Sequence, residues 1–208
     1  MSSPFDPAPI VTPHRQDFQD RGYAVVENVF PDELAEEARG IFMGAEYDHV
    51  FQERRQHYTH VFNTQFPDLP KPGEVYYASF WRSTFLEKGA FVQGLYQTHI
   101  QPLLEAFSGS SHAKVDLRAY RLTRDDLFRT HIDDYAGNIG FIYYMSKGWK
   151  WDWGGILTML DGDQIIPTLP RFNQIVVINH KSFRPPHFVS PVAHYALEPR
   201  YMLVGFAQ

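Results

Sequence analysis

The chain has 208 residues, a formal net charge of -5 at pH 7 and 44% hydrophobic residues. This length and apolar content suffice for one domain with a sizeable core and argue against disorder. The absence of cysteine excludes disulfides, thiolate nucleophiles and cysteine-bound metal clusters.

Charge and hydropathy also limit the partners. The acidic balance provides no basic surface for nucleic acid. No stretch is long and apolar enough to span a bilayer, and the N-terminus lacks the apolar core of a signal peptide. We therefore expect a soluble, cytoplasmic protein with no nucleic-acid or membrane partner; the sequence does not indicate an oligomeric state.

The N-terminal part predicts a leader followed by helix, strand and helix. Four prolines within residues 1–13 predict a flexible leader, because proline lacks an amide donor and blocks helix, so the single domain is expected to span 14–208. A short helix is predicted to end near Gly22, with a strand at 23–29 after it. Pro31 and the acids that follow it predict the start of a second helix.

The segment 47–72 is polar and aromatic and predicts a loop with short strands. It contains His57, Tyr58 and His60, which either line a substrate entrance or belong to a plain surface loop, and the surface loop is favoured. After it, aromatic content predicts a strand at 74–81, and an apolar stripe at helical spacing predicts a helix at 91–107.

From Lys114 onward the pattern changes to short β-rich runs separated by Gly, Pro, Asp or Asn. No helical pattern lies between these runs, so the strands are predicted to be antiparallel. Short strands at this spacing are typical of a sandwich, a barrel or a jelly roll.

The run FRTHIDDYAG, residues 128–137, places His131 two positions before Asp133. Residues i and i+2 of a strand face the same side, so an imidazole and a carboxylate would project together from one surface. Taken alone, such a pair is more often a polar turn than half of a metal site. The next residue, Asp134, is interpreted as a solvated side chain rather than as a group that supports a ligand.

A third ligand would make the metal site more specific. His187 opens an apparent strand in FRPPHFVSPV, and His180 and His194 compete with it less favourably, the first in an apparent turn and the second after the strand. Two histidines and one carboxylate leave three positions of a ferrous ion open for a chelating cosubstrate and dioxygen. Zinc could occupy the same set.

Several blocks in one order resemble the 2-oxoglutarate and Fe(II)-dependent dioxygenases, in particular the prolyl-hydroxylase-like branch. An N-terminal block, FQDRGYAVVENVFPDELAEEAR, resembles the opening of such domains, so the resemblance covers nearly all of the chain. The other blocks are HID at 131–133, FIYYMSKGW at 141–149, GGILTML at 154–160, PPHFVSPV at 185–192 and PRYMLVGF at 199–206.

The resemblance implies a mainly β fold, a double-stranded β-helix (a cupin-like jelly roll) with N-terminal supporting α-helices. It implies Fe(II), 2-oxoglutarate as cosubstrate and O2, with His131, Asp133 and His187 as the iron ligands. Arg200 matches the residue that pairs with the distal carboxylate of 2-oxoglutarate. Tyr144 matches a tyrosine whose hydroxyl donates to the same carboxylate, and Tyr120 matches a tyrosine near the cosubstrate.

The function that the resemblance implies is hydroxylation of an unactivated C–H, of a prolyl residue in a peptide or protein or of an amino-acid-like small molecule. The carboxylate at Asp133 favours hydroxylation over halogenation, whereas desaturation and ring formation use the same ligands. One alternative is a non-catalytic cupin-like metal-binding or sensor protein, which would not need a buried Arg200. Another is a zinc hydrolase, for which Asp134 is the nearest candidate base.

Other side chains allow two interpretations. Trp149, Trp151 and Trp153 either form an aromatic wall for the substrate or pack on the core. Arg118 and Arg129 either meet an anionic substrate or form surface ion pairs, and the ion pair is favoured. Substrate specificity is expected to depend on the segments 47–72 and 147–153.

Overall fold

The computed structural model describes residues 5–54, 76–133 and 137–208. Its helices lie almost entirely in the first half of the chain, before the main run of strands. They are α1 (Ala8–Val11), α2 (Arg15–Arg21), α3 (Asp32–Gly44), α4 (Thr84–Lys88), α5 (Ala90–Leu95) and α6 (Gln101–Ser108), with 3-10 turns at Thr12–His14 and Trp151–Trp153 and a π-helical turn at Tyr96–Ile100.

The described residues form eleven strands, and every pairing between them is antiparallel. The antiparallel sheet predicted from Lys114 onward is therefore confirmed. The strands are β1 (Tyr23–Glu27), β2 (Asp48–Arg54), β3 (Tyr76–Arg82), β4 (Val115–Leu122), β5 (Leu127–His131), β6 (Ile139–Tyr144), β7 (Leu157–Asp161), β8 (Gln164–Thr168), β9 (Gln174–Asn179), β10 (His187–Val189) and β11 (Arg200–Ala207). Their order is β1-β9-β6-β11-β4-β3-β5-β10-β7-β8, with β2 paired to β3.

The sheet curls so that its two halves enclose one cavity. Residues of β4, β6, β9 and β11 line it from one half, and residues of β5, β7 and β10 line it from the other. Pairing between strands that are far apart in the sequence, such as β4 and β11, brings distant segments to the same wall of the cavity.

Two hydrophobic cores lie on opposite faces of the sheet, and β11 contributes to both. Met202 and Val204 belong to the inner core, whereas Tyr201, Leu203 and Ala207 pack against the helices on the outer face. Because both faces are buried, the strand is apolar almost throughout and does not alternate with polar residues. The helices thus support one face of the sheet, while the other face forms the cavity wall.

The local signals account for most element boundaries. Gly22 has φ +77° and its amide bonds the Phe18 carbonyl, which ends α2 as predicted. The strand predicted at 23–29 ends earlier, at Glu27, since Asn28 adopts φ +52°. The helix predicted at 91–107 contains the π-helical turn, which lies just before Pro102, a residue that cannot donate to the carbonyl four positions back.

The short strands predicted within 47–72 are confirmed in part, and the predicted leader contains a short helix. Part of the segment 47–72 forms β2, and His57, Tyr58 and His60 lie outside the described residues, as does Asp134. Within the predicted leader, α1 is helical and Val11 is fully buried in the helix-side core. Proline is compatible with a first helical turn, so the prolines of this segment do not prevent α1. The domain boundary at residue 14 stays a prediction.

Among the described helices, none is both long enough and apolar enough to cross a membrane.

Asn173, in the turn before β9, joins the helical layer to the sheet. It is 1% exposed and has φ +56°. Its side chain accepts hydrogen bonds from the Phe30 amide (3.1 Å) and the Tyr143 hydroxyl (3.3 Å), and donates one to the Phe30 carbonyl (2.7 Å). This one residue therefore holds the connection between β1 and α3 against β6.

We expect Asn173→Ala to lower the free energy of unfolding by about 3 kcal/mol, because it leaves buried partners unsatisfied and places alanine in the left-handed region. The matched control is Asn28→Ala, since Asn28 has a similar φ but is exposed. The control should cost about 1 kcal/mol, the conformational part alone. Denaturant unfolding monitored by circular dichroism measures both, and equal losses would contradict the role assigned to the side chain.

Candidate active site

Three side chains meet where β5 and β10 pair. His131, the last residue of β5, lies directly opposite His187, the first residue of β10, and their ring centroids are 4.2 Å apart. Asp133 follows two residues after the end of β5, and its carboxylate oxygens lie 3.7 Å from His131 Nε2 and 3.4 Å from His187 Nε2. One potential ligand atom from each residue lies within 4.8 Å of the other two.

The sequence predicted that His131 and Asp133 lie on one strand and face the same side, and the structure differs from this in one respect. Asp133 lies beyond the end of β5, so strand alternation does not place its carboxylate. Residues 132 and 133 have no regular secondary structure, and the buried carboxylate lies near the Nε2 atoms of both imidazoles.

Backbone carbonyls orient both imidazoles. His131 Nδ1 lies 2.7 Å from the Arg129 carbonyl, and His187 Nδ1 lies 3.0 Å from the Pro185 carbonyl. A carbonyl only accepts, so each Nδ1 carries the proton and each Nε2 presents its lone pair to the shared point. This arrangement is typical of histidines that bind metals. Two imidazole nitrogens and one carboxylate form a donor set that suits Fe(II).

The electrostatics couple the three groups. Burial alone would raise the pKa of Asp133, but His187 and His131 outweigh it and hold that pKa well below its usual range. Burial alone would lower the pKa of His187, but the Asp133 carboxylate raises it above the ordinary histidine value. The carboxylate therefore stays charged, and the buried site holds one negative charge between two neutral or protonated rings.

The other two candidate histidines do not join this group. His180 is buried and lines the same cavity, and burial lowers its pKa to about 4 although Asp133 opposes the shift. His194 lies on the surface, with Nε2 3.3 Å from Asp125 Oδ1. Of the three histidines considered as a third ligand, His187 is the one that lies beside His131 and Asp133.

Arg200 lines the same cavity and is fully buried. Its Nη2 donates to the Tyr144 hydroxyl (3.1 Å) and its Nη1 to Met202 Sδ (2.9 Å), while its Nε is buried without a partner. No carboxylate in the described part of the chain pairs with it. Burial lowers the pKa of Arg200, and the Tyr144 hydroxyl partly offsets this effect. A buried guanidinium without an anion is unfavourable and indicates a place for an anionic ligand.

The tyrosines predicted beside this arginine lie on the cavity side of their strands. Tyr144 on β6 touches Arg200 directly. Tyr120 on β4 lines the cavity, and its ring packs on Phe80 and Phe128 at centroid distances of 4.8 Å and 5.7 Å. Tyr120 therefore forms part of the wall between the arginine and the histidine end.

The tryptophans do not form the aromatic wall that was one of their two interpretations. Trp149 and Trp153 are buried in the inner core, with ring centroids 5.3 Å apart, and Trp151 is exposed on the surface. Trp149 reaches the site indirectly: a Cβ at Gly155 would lie 3.1 Å from its ring and 3.2 Å from Arg200 Cδ. Core packing is thus the role of two of these residues, and they support the arginine from behind.

Some residues of the cavity were missed by the sequence analysis. Gln52, Gly140 and Phe206 line it, and they come from three different strands. A period-two pattern shows which residues share a face, but it does not show which face of a curled sheet encloses a cavity. Arg118 lines the cavity and pairs with Asp116 at 2.6 Å, so the predicted ion pair and a position at the site coexist.

Comparison with known proteins shows the fold and a family resemblance over the C-terminal part of the chain. Residues 116–208 match the family model described as the 2OG-Fe(II) oxygenase superfamily. No curated protein sequence matches the chain.

Three solved structures are similar in fold. A prolyl-4-hydroxylase from Pseudomonas putida has a TM-score of 0.65 at 15% identity, covering 96% of this chain and 99% of that one. A prolyl hydroxylase from Trichoplax adhaerens, in complex with a hypoxia inducible factor peptide, has a TM-score of 0.64 at 12% identity, covering 96% and 88%. The non-heme alpha-ketoglutarate-dependent epimerase SnoN from nogalamycin biosynthesis has 0.63 at 14%, covering 98% and 84%.

These neighbours have the double-stranded β-helix fold, which confirms the predicted fold class. The family uses Fe(II), 2-oxoglutarate and O2, as predicted. The match over residues 116–208, together with the shared fold, makes the β-rich part of the chain similar to the 2OG-Fe(II) oxygenases.

Proposed function

We propose that the protein is a hydroxylase that inserts oxygen into an unactivated C–H, with His131, Asp133 and His187 as iron ligands and Arg200 as the anchor of 2-oxoglutarate. The observation that supports this most strongly is the combination of two incomplete groups in one cavity. The three-ligand cluster and a buried arginine that pairs with no carboxylate of the described residues line the same cavity.

The metal assignment is supported by the fit of the donor set. The ligand atoms are already close, both imidazoles are held in the tautomer that presents Nε2, and the carboxylate stays charged. Three protein ligands leave positions for the keto acid and for dioxygen. Bound there, Fe(II) supplies the oxygen activation that the side chains cannot perform themselves.

The cosubstrate assignment is supported by charge and shape. The guanidinium of Arg200 can hold a carboxylate through two parallel hydrogen bonds, which a lysine cannot do. The Tyr144 hydroxyl, 3.1 Å from Nη2, is positioned to donate to the same carboxylate. Tyr120 is buried and lines the same cavity. Arg200 and Tyr144 would hold the distal carboxylate of 2-oxoglutarate, and the keto-acid end would remain free to bind the metal.

The reaction outcome is supported by the ligand set and by the neighbours. With a carboxylate at position 133, the site lacks the position that related halogenases use for halide, so hydroxylation is favoured. Two of the solved neighbours are named prolyl hydroxylases, which supports a prolyl residue or an amino-acid-like molecule as substrate. Another neighbour is named an epimerase, so the fold by itself does not set the outcome.

The remaining assignments complete the proposal. One catalytic domain spans 14–208, the protein is cytoplasmic, and its ligands are 2-oxoglutarate and a peptide or small-molecule substrate, with no nucleic-acid or membrane partner. The acidic balance and the lack of cysteine support this setting.

A non-catalytic metal-binding protein of the cupin type is the alternative. It would explain the three ligands but not the buried Arg200, whose desolvation is costly unless an anion binds. Soaking crystals with 2-oxoglutarate separates the two: the enzyme should bind it by its keto acid at the metal and by its distal carboxylate at Arg200.

His131→Ala and Asp133→Ala should each reduce succinate formation by at least about 100-fold in aerobic incubations with Fe(II) and 2-oxoglutarate, because each removes a ligand. Iron content after desalting should fall in parallel. The control is His194→Ala, whose side chain is 75% exposed and should leave both values unchanged. Unchanged turnover in either ligand variant would refute the assignment.

Arg200→Lys should raise the concentration of 2-oxoglutarate for half-maximal succinate formation about ten- to hundredfold, because the forked hydrogen bonds are lost. Iron binding should not change, because Arg200 lies away from the ligands. Tyr144→Phe, which keeps the ring and removes the hydroxyl, should cause a smaller increase of roughly tenfold. The role of Arg200 would be disproved by equal 2-oxoglutarate requirements in Arg200→Lys and the unsubstituted protein.

A further inference from the structure

The cavity extends along β11 beyond the reach of 2-oxoglutarate. Arg200 is the first residue of this strand, and Met202, Val204 and Phe206 follow it at alternate positions and also line the cavity. The distance along an extended strand from position 200 to position 206 is about 20 Å. A 2-oxoglutarate molecule anchored at Arg200 is much shorter than this distance. The part of the cavity beside Phe206 is therefore left for another ligand, which under the proposed function is the substrate.

A buried histidine lies in this part of the cavity. His180, directly after β9, is 3% exposed and lines the cavity, and its ring packs against the Phe206 ring at a centroid distance of 6.1 Å. Phe206 pairs with Gly140 on β6, and a Cβ at Gly140 would collide with His180 Nε2. Glycine at position 140 therefore makes room for the imidazole in the cavity wall.

The backbone of His180 is held in place, but its ring has no partner. The His180 amide donates to the Asn138 carbonyl (3.0 Å), and the His180 carbonyl accepts from Arg184 Nε (3.0 Å). Within the described ranges the imidazole itself forms no hydrogen bond. A buried polar group of this kind is costly unless a ligand satisfies it. Neither the metal ligands nor the 2-oxoglutarate anchor accounts for this side chain.

The surroundings of the ring favour an uncharged ligand group. Burial lowers the pKa of His180 to about 4, so the imidazole is neutral at pH 7 and offers one donor and one acceptor. The nearby charged groups are already engaged, because Arg118 pairs with Asp116 at 2.6 Å and Asp133 belongs to the ligand cluster. A charged ligand group beside His180 would therefore be buried without a counter-charge, whereas a neutral polar group would complete the hydrogen bonding of the ring.

We propose that His180 binds the substrate, through a hydrogen bond between its imidazole and an uncharged carbonyl, amide or hydroxyl group, while an apolar part of the substrate packs on Phe206. Asp133 and His187 both act electrostatically on His180, so the bound group is held near the ligand cluster. This inference rests on the proposed function. Of the two substrate classes left open there, it selects a residue whose amino and carboxyl groups are in amide bonds over a free amino acid, which carries two charges.

The test uses the full chain with Fe(II) and 2-oxoglutarate, without oxygen, and follows the visible charge-transfer band of the keto-acid chelate. L-Proline and the other protein amino acids are titrated, each beside its N-acetyl carboxamide, and an end-blocked prolyl peptide is included. We expect at least one of the blocked, uncharged compounds to perturb the band and, in air, to stimulate succinate formation. The corresponding free amino acid should require a concentration at least about tenfold higher.

Substitutions of His180 separate recognition from packing. His180→Phe keeps a ring but removes the hydrogen bond, and should raise the half-saturating concentration of the uncharged compound about tenfold. His180→Gln keeps a neutral donor and acceptor and should raise it by a smaller factor. The matched control is His112→Phe, because His112 is also a buried histidine, 4% exposed, but lies outside the cavity lining; it should leave this concentration unchanged. Half-saturation by 2-oxoglutarate should stay within about twofold in all three variants.

Gly140 provides an independent test of where the ring must lie. Gly140→Ala places a methyl group against the imidazole and should displace it, so the half-saturating concentration of the uncharged compound should rise about tenfold. In a His180→Ala background the group that it displaces is absent, so adding Gly140→Ala should cause little further change. Independent effects that simply add would contradict the assigned position of the ring.

Three results would overturn the inference: free amino acids that act as well as their blocked forms, no blocked compound that acts on protein with an intact chelate, or His180→Phe and His180→Gln with the same effect. A fourth is a loss of iron or of the chelate band in His180→Phe before any compound is added, which would assign the histidine to the ligand cluster instead. Failure of the unsubstituted protein to form the chelate would overturn the proposed function itself, so the two failures are distinguishable.

Discussion

The register between β5 and β10 is the constraint on which the site depends. His131 and His187 are 56 positions apart in the sequence numbering, yet antiparallel pairing places them directly opposite each other. A slip of one residue would turn His187 to the other face of the sheet and separate the two imidazoles. The backbone carbonyls of residues 129 and 185 then orient the rings, so pairing and local hydrogen bonding together define the point where the ligand atoms meet.

The cavity contains two buried charged groups, Asp133 and Arg200, which differ in how they are paired. Asp133 is buried but lies between two imidazoles, whereas Arg200 is buried with only a hydroxyl and a thioether beside its terminal nitrogens. The first group is satisfied internally, and the second requires an anion. The difference orients any ligand that has a carboxylate at one end and metal-binding atoms at the other. Arg118 lines the same cavity as Arg200 and pairs with Asp116 at 2.6 Å.

Where the structure departs from the sequence-based expectations, the cause is a contact between distant segments. Of the two interpretations of the alternating tryptophans, core packing applies to Trp149 and Trp153, whereas Trp151, at the start of the 3-10 turn, is exposed to solvent. The N-terminal prolines predicted a flexible leader, but residues Ala8–Val11 form α1 and Val11 packs in the helix-side core. Asp133 was expected on the strand and lies two residues beyond its end, with its carboxylate 3.4 Å from Nε2 of His187 on the distant strand β10.

The sequence by itself determined the chemistry of the side chains, the antiparallel β pattern after Lys114, the end of α2, the start of α3 and the order of blocks that carries the family resemblance. These features are local or depend only on order along the chain. Only the tertiary structure decided which histidine lies beside His131 and Asp133, and that Arg200 pairs with no carboxylate of the described residues. Strand pairing and sheet curl are contacts between segments remote in sequence, and a local pattern specifies which residues share a face but not what that face will meet.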